Sequence, residues 1–137
     1  MSQATGRQVA VVTGGAGGIG SAICSALAIG GYRVVSLDRD VGVDAAVQYV
    51  ELDLADLDSV DACAMDLLRE HAPISTLVHC AADLRTTALD DLDLDLWRAV
   101  QRVNVESFLV LARALARSMP DDGSARIIVI VSDTVHA

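Results

Sequence analysis

A cluster of glycines near the N-terminus constrains the fold more than any other feature of this sequence. Five of the seven residues from Gly14 to Gly20 are glycine. They follow a short apolar run, Val9–Thr13, which predicts a buried strand, and they precede an Ala- and Leu-rich stretch that predicts a helix over 19–29. Glycine permits a tight turn and lets a pyrophosphate approach the main chain where the helix begins. The pattern therefore predicts a dinucleotide-binding turn.

Apolar runs and amphipathic stretches alternate along the rest of the chain. After the first strand and helix, they predict strands over 33–38, 47–52, 75–80 and 126–132 and helices over 56–72 and 95–119, with an irregular segment over 81–93. This alternation favours a parallel sheet covered by helices on both faces. We therefore expect an α/β fold, a three-layer doubly wound Rossmann sheet with strand order 3-2-1-4-5, formed by a single domain over 1–137.

Composition excludes several classes of protein. The net charge of −9 argues against a nucleic-acid partner, because a phosphate backbone requires a basic surface. No apolar run is long enough to span a membrane or to act as a signal peptide, so we expect neither membrane association nor export. The three cysteines lack metal-binding spacing, so we expect no metal site and a reduced, cytoplasmic protein.

An acidic residue ends the second predicted strand. Asp38 lies eighteen residues after Gly20, where a carboxylate can accept hydrogen bonds from the adenosine ribose hydroxyls. Such a carboxylate would repel a 2′-phosphate and so favours NAD over NADP. Arg39 follows directly and leaves NADP open, because a guanidinium can pair with that phosphate.

The glycine cluster carries two overlapping motifs. Gly15, Gly17 and Gly20 form the general G-x-G-x-x-G pattern, and Thr13-Gly14-x-x-x-Gly18-x-Gly20 forms T-G-x-x-x-G-x-G. The second motif resembles the short-chain dehydrogenase/reductase family. The resemblance implies NAD(P)-dependent hydride transfer between the nicotinamide and a secondary alcohol or ketone, which would be a small-molecule substrate. Together with the motif analysis it predicts these cofactor-binding residues: Thr13, Gly14, Gly17, Gly18, Ile19, Gly20, Asp38, Arg39, Asp53, Leu54, Cys80, Ala81 and Ala82.

Two of those segments rest on the resemblance. Asp53-Leu54 is similar to the family's Asp-[Val/Leu] pair beside the adenine ring, although by itself Asp53 is typical of a capping or loop acid. His79-Cys80-Ala81-Ala82 occupies the place of the family's Asn-Asn-Ala-Gly segment, and of these residues Ala81 alone matches. A lone histidine at the end of a strand, such as His79, is typical of a structural residue.

The catalytic predictions also come from the resemblance. Asn104 is similar to the family's mid-helix Asn, which helps to hold a water in a proton relay. Ser132 is our candidate for the family's catalytic Ser after the fifth strand, and Asp133 would take that place if the strand is shifted by one residue. A Ser hydroxyl can donate to a substrate carbonyl, whereas an ionised Asp can only accept.

The family's catalytic Tyr-x-x-x-Lys pair is not found in these residues. The sequence contains no Lys, and Tyr32 and Tyr49 both lie in its first half. We therefore expect the chain to be the N-terminal part of a longer enzyme, cut before that pair. The alternative is a non-catalytic dinucleotide-binding module that acts as a sensor or regulator. The family's long helices commonly form dimer contacts, so the resemblance also implies a homodimer or homotetramer.

Overall fold

A five-stranded parallel sheet forms the centre of the molecule. The computed structural model describes residues 6–132. The strand order is β3-β2-β1-β4-β5, which confirms the predicted order 3-2-1-4-5. The strands are β1 (Val9–Thr13), β2 (Arg33–Asp38), β3 (Val47–Glu51), β4 (Ile74–His79) and β5 (Arg126–Val129). Every residue of β1 and β4 is buried, as expected for central strands covered on both faces.

The described residues also form four α-helices. They are α1 (Gly18–Ile29), α2 (Leu57–His71), α3 (Leu94–Gln101) and α4 (Ser107–Leu115). Short 3₁₀ turns occupy Leu89–Asp91 and Ala116–Ser118. The first helix ends at Gly30-Gly31, where Gly31 has a φ of +91° that favours glycine. Within the described residues, no helix has the length and apolar character needed to cross a membrane.

The side chains of the central strand alternate between two apolar cores. Val9 and Val11 pack into the core shared with α2 and α4, and Val12 packs into the core shared with Cys24 of α1. Helices therefore cover both faces of the sheet, which confirms the three-layer arrangement. The outermost strand, β5, is exposed along its length.

The prediction of one continuous helix over 95–119 is wrong. The structure divides it into α3, a π-helical turn over Arg102–Glu106, and α4. In the π-helical turn the N–H of Ser107 donates to the carbonyl of Arg102, five residues earlier. The apolar spacing continues through the turn, so periodicity alone predicted one helix. The turn coincides with a side-chain contact to a distant loop, described below.

The last predicted strand is also shorter in the structure. It ends at Val129 instead of Ser132, because its neighbour β4 ends at His79, the partner of Val129. One further hydrogen bond joins the Ile130 N–H to the carbonyl of His79. The bounds of β1 and β2 match the predicted ones, and those of α1, β3, α2 and β4 differ from them by at most one residue, which is the usual uncertainty at the ends of elements.

Candidate functional site

The glycine cluster forms a tight turn between β1 and α1. Gly14 has a φ of +72°, and its N–H donates to the carbonyl of Leu37 on β2. Gly17 stands in extended conformation at the start of α1. The first turn of this helix holds no acidic side chain, and no side chain caps it. The N–H groups and the positive end of the helix dipole are therefore available to an anion.

Three of the five glycines are required by the packing of the turn itself. A Cβ on Gly14 would lie 2.8 Å from the main chain of Ala81, and one on Gly20 would lie 2.0 Å from the carbonyl oxygen of Gly14. A Cβ on Gly15 would lie 2.8 Å from Sγ of Cys24, which is fully buried beneath the turn. Any side chain at these positions would displace backbone or core atoms.

The other two glycines are not required by the fold. A Cβ on Gly18 would meet nothing within 4 Å, and one on Gly17 would make only an ordinary 3.4 Å contact with the carbonyl oxygen of Gly14. Neither residue has a positive φ. Gly17 is the N-cap of α1, where glycine is favoured over alanine. Gly18 lies inside the first turn, where glycine lowers stability relative to alanine, so its presence calls for a reason outside the folded chain. The open side of Gly18 is such a reason, because it leaves room for a ligand.

Asp38 lies against the turn at the end of β2. Its Oδ2 accepts a hydrogen bond from the N–H of Ala16 at 3.0 Å, and its Oδ1 accepts one from the N–H of Asp40 at 3.2 Å. Each oxygen keeps acceptor capacity beyond these bonds. Arg39 is exposed, and its charge is one of the influences that lower the pKa of Asp83, after the stronger effect of the hydrogen bond from Arg85.

Thr13 joins the ends of β1 and β4. Its Oγ1 accepts hydrogen bonds from the N–H groups of Cys80 and Ala81, each at 3.2 Å. The same oxygen lies 2.9 Å from Nδ1 of His79. Burial raises the pKa of the Cys80 thiol, which therefore stays protonated near neutral pH. Cys80 and Ala81 are half-buried, and Ala82 is exposed.

Asn104 lies in the π-helical turn and reaches the loop after β4. Its Oδ1 accepts from the N–H of Asp83 at 2.6 Å, and its Nδ2 donates to the carbonyl of Asp83 at 3.0 Å. Both ends of the side-chain amide are therefore engaged by one residue. The structure thus brings Asn104 to the same end of the sheet as the segment Cys80–Ala82.

Asp53 and Leu54 have different surroundings. The carboxylate of Asp53 is exposed and accepts the N–H of Ala55, as in a local turn, while the side chain of Leu54 is buried in the apolar core. The N-cap of α2 is instead Asp56. Ser132 is exposed at the end of the described part of the chain, and Asp133 lies outside the described residues.

One cavity lies away from these residues. It has a volume of about 340 Å³ and lies between β3 and α2, with Gln48, Cys63 and Glu70 among its lining residues. None of the predicted site residues lines it. Among residues 6–132, no group of three or more His, Cys, Asp or Glu side chains is placed to hold a metal ion.

Comparison with known proteins identifies the family. The model of the short chain dehydrogenase family matches residues 8–136. Galactitol 2-dehydrogenase (L-tagatose-forming) of Cereibacter sphaeroides is 33% identical over 87% of this chain and 50% of its own length. D-threitol dehydrogenase of Mycolicibacterium smegmatis is 30% identical over 91% of this chain and 52% of its own length. The chain therefore spans about half the length of the curated relatives it matches.

A solved structure shows the same arrangement. The putative NAD(P)-dependent gluconate 5-dehydrogenase of Beutenbergia cavernae, solved with bound NADP, superposes with a TM-score of 0.82 at 32% identity. The match covers 91% of this chain and 54% of that one.

Proposed function

Because the chain belongs to the short chain dehydrogenase family, we propose that it binds a nicotinamide dinucleotide at the carboxyl ends of its strands, NAD in preference to NADP. The protein would act as an oxidoreductase on a small secondary alcohol or ketone. The nicotinamide supplies the hydride chemistry, and the residues of this chain bind and orient the reactants. The open face of Gly18, which the fold itself does not use, is the observation that carries this proposal.

The turn between β1 and α1 fits a diphosphate. Main-chain N–H groups at the start of α1 have no side-chain cap, and the helix dipole adds positive potential there. Because Gly17 and Gly18 present no side chain, a diphosphate can approach these N–H groups closely. We propose that Ile19 and Gly20 continue this contact along the first turn of the helix.

The preference for NAD rests on Asp38. Its carboxylate is fixed by two main-chain N–H groups and still has lone pairs for the ribose hydroxyls. A 2′-phosphate placed beside it would meet like charge. We propose that Arg39 lines the same ribose and that Asp53 and the main chain of Leu54 lie near the adenine.

The catalytic roles of Asn104 and Ser132 remain proposals about the whole enzyme. Asn104 holds the Asp83 peptide and so fixes the loop that begins with Cys80–Ala82. We propose that this loop lines the cofactor and that the Ser132 hydroxyl hydrogen-bonds the substrate oxygen. We also propose that the protein works in the cytoplasm as a homo-oligomer through α3 and α4, where Trp97 and Leu109 are exposed.

Substitution of Gly18 by Val tests the proposed site. The added side chain would occupy the space assigned to the diphosphate, and its Cβ would meet no atom of the described chain within 4 Å. We expect Gly18→Val to weaken NADH binding at least about tenfold, which corresponds to about 1.4 kcal/mol. NADH fluorescence titration and isothermal calorimetry would measure the change.

Gly6 provides the matched control. A Cβ there also meets nothing within 4 Å. Gly6 precedes the amino end of β1, whereas the proposed site lies at the carboxyl ends of the strands. Gly6→Val should leave the dissociation constant within about twofold of the unsubstituted chain. Equal affinities in the Gly18 variant and the control would refute the placement. Absence of binding at millimolar NADH in the unsubstituted protein would refute the function.

A further inference from the structure

His79 connects the end of the central sheet with the interrupted helix. The residue is buried, with 2% of its surface exposed, and its ring lies 5.5 Å from that of Phe108 on α4, measured between centroids. Nδ1 lies 2.9 Å from Oγ1 of Thr13 at the end of β1. The main-chain carbonyls of Asn104 and Val103, in the π-helical turn, lie near the ring.

The hydrogen bonds of Thr13 determine which nitrogen carries the proton. Oγ1 of Thr13 already accepts two N–H groups, from Cys80 and Ala81. Its own hydroxyl proton is therefore the one available for the contact with Nδ1 of His79, and Nδ1 must accept it. In a neutral ring the proton then resides on Nε2. Burial lowers the pKa of His79 and so favours the neutral ring.

The second ring nitrogen, Nε2, is buried and has no hydrogen-bond partner among the described residues. The carbonyls of Asn104 and Val103 nevertheless lie close enough to raise the pKa of the ring against the effect of burial. A buried N–H that lacks another partner is stabilised by nearby main-chain carbonyls, because they can accept its hydrogen. The Val103 carbonyl also accepts the hydroxyl of Ser107 at 2.8 Å.

We propose that His79 is a positioning residue that holds the π-helical turn, and with it Asn104, in register with the end of β1. Its Nδ1 accepts from Thr13 on the sheet, and its Nε2–H is attracted to the carbonyls of Val103 and Asn104 on the helix. An asparagine at this position could reach Thr13 but not the helix. The inference rests on the proposed function only in treating Asn104 as part of the site.

Two amide substitutions distinguish the contact made at Nδ1 of the ring from the contact made at Nε2. In His79→Asn the amide lies near the place of Nδ1, and in His79→Gln it lies near the place of Nε2. The first variant should keep the Thr13 contact and release the helix, and the second should do the reverse. If His79 only filled space, the two variants would have the same effect on both contacts.

Amide hydrogen exchange, followed by NMR on the same chain, measures the difference. The N–H of Asp83, which donates to Asn104, should exchange about tenfold faster in His79→Asn and within about threefold of the unsubstituted rate in His79→Gln. The N–H groups of Cys80 and Ala81, which donate to Thr13, should show the opposite pattern. Equal changes in both variants would overturn the proposal.

The protonation of the ring gives a second test that needs no substitution. Two-dimensional ¹H–¹⁵N spectra of the histidine side chains should show His79 as the Nε2–H tautomer at pH 7.5. A proton on Nδ1 would overturn the proposal even if the variants fail to fold. If NADH does not bind while the exchange pattern and the tautomer are as expected, the proposed function fails and the role of His79 stands.

Discussion

At the scale of single residues, the surroundings of Asp38 carry the proposed choice of cofactor. Two main-chain N–H groups, from Ala16 and Asp40, orient its carboxylate towards the turn after β1. A carboxylate held in this way cannot easily rotate away from an incoming phosphate. The sequence placed this residue at the end of a strand, and the structure adds the two bonds that fix its orientation.

Replacement of Asp38 by Ala tests that choice. The substitution removes the negative charge and the acceptors for the ribose, so NAD should bind less tightly and NADP should be less strongly repelled. We expect the dissociation constant for NADP divided by that for NAD to fall at least about fivefold, or about 1 kcal/mol. Asp40→Ala is the control, because its carboxylate is exposed and only its main-chain N–H contacts Asp38. An unchanged ratio in Asp38→Ala would show that another residue discriminates.

At the scale of the elements, α2 shows a local signal that fixes where a helix begins. Asp56 is its N-cap, and its carboxylate accepts the N–H of Ser59 at 3.2 Å and the hydroxyl of the same residue at 2.7 Å. These hydrogen bonds hold the pKa of Asp56 below its ordinary value. The helix ends one residue before Ala72, and Pro73, which has no N–H, follows.

Removal of this cap should destabilise the protein modestly. We expect Asp56→Ala to lower the free energy of unfolding, since two hydrogen bonds at the start of α2 are lost. Asp56→Asn keeps an acceptor at the same place and should cost less than half as much. Urea unfolding followed by circular dichroism at pH 7 would measure both. Indistinguishable losses in the two variants would mean that charge, rather than capping, is responsible.

The elements also show which parts of the fold could be predicted from the sequence alone. Strands buried on both faces, such as β1 and β4, are continuous apolar runs, so their positions and order could be predicted. The π-helical turn could not be predicted, because the apolar spacing continues through it and it coincides with a contact between Asn104 and Asp83, which lie far apart along the chain. The sequence indicated a structural role for His79, but its contact with Thr13 could not be predicted, because the two residues lie 66 positions apart and only folding brings them together.

At the scale of the whole molecule, two buried histidines make stability depend on pH. Burial lowers the pKa of His71, with a further contribution from Arg33, while Glu70 opposes the shift. Burial likewise lowers the pKa of His79. Both groups therefore take up protons more readily in the unfolded chain, whose histidines titrate near pH 6.5. Their contribution to stability is complete above that pH and declines as the pH falls towards the folded-state pKa values.

Substitution of His71 by Gln isolates this effect. Lowering the pH also reduces repulsion within a chain of net charge −9, so the difference in slope between variant and parent is the informative quantity. We expect the loss of stability between pH 7 and pH 5 to be smaller in His71→Gln, because one of the two buried rings among the described residues no longer titrates. Urea unfolding at several pH values would measure the slopes. Parallel slopes would contradict a neutral, buried His71.

The thiol beneath the glycine turn has a consequence for chemical labelling. Cys24 is fully buried, and burial, with smaller effects of Asp44 and Cys80, raises its pKa to about 11. A maleimide or a disulfide reagent can therefore reach it as a thiolate only when α1 separates from the sheet, whereas Cys63 and Cys80 are partly accessible in the closed molecule. The alkylation rate of Cys24 thus reports how often the turn opens, and a ligand bound in the turn would lower that rate.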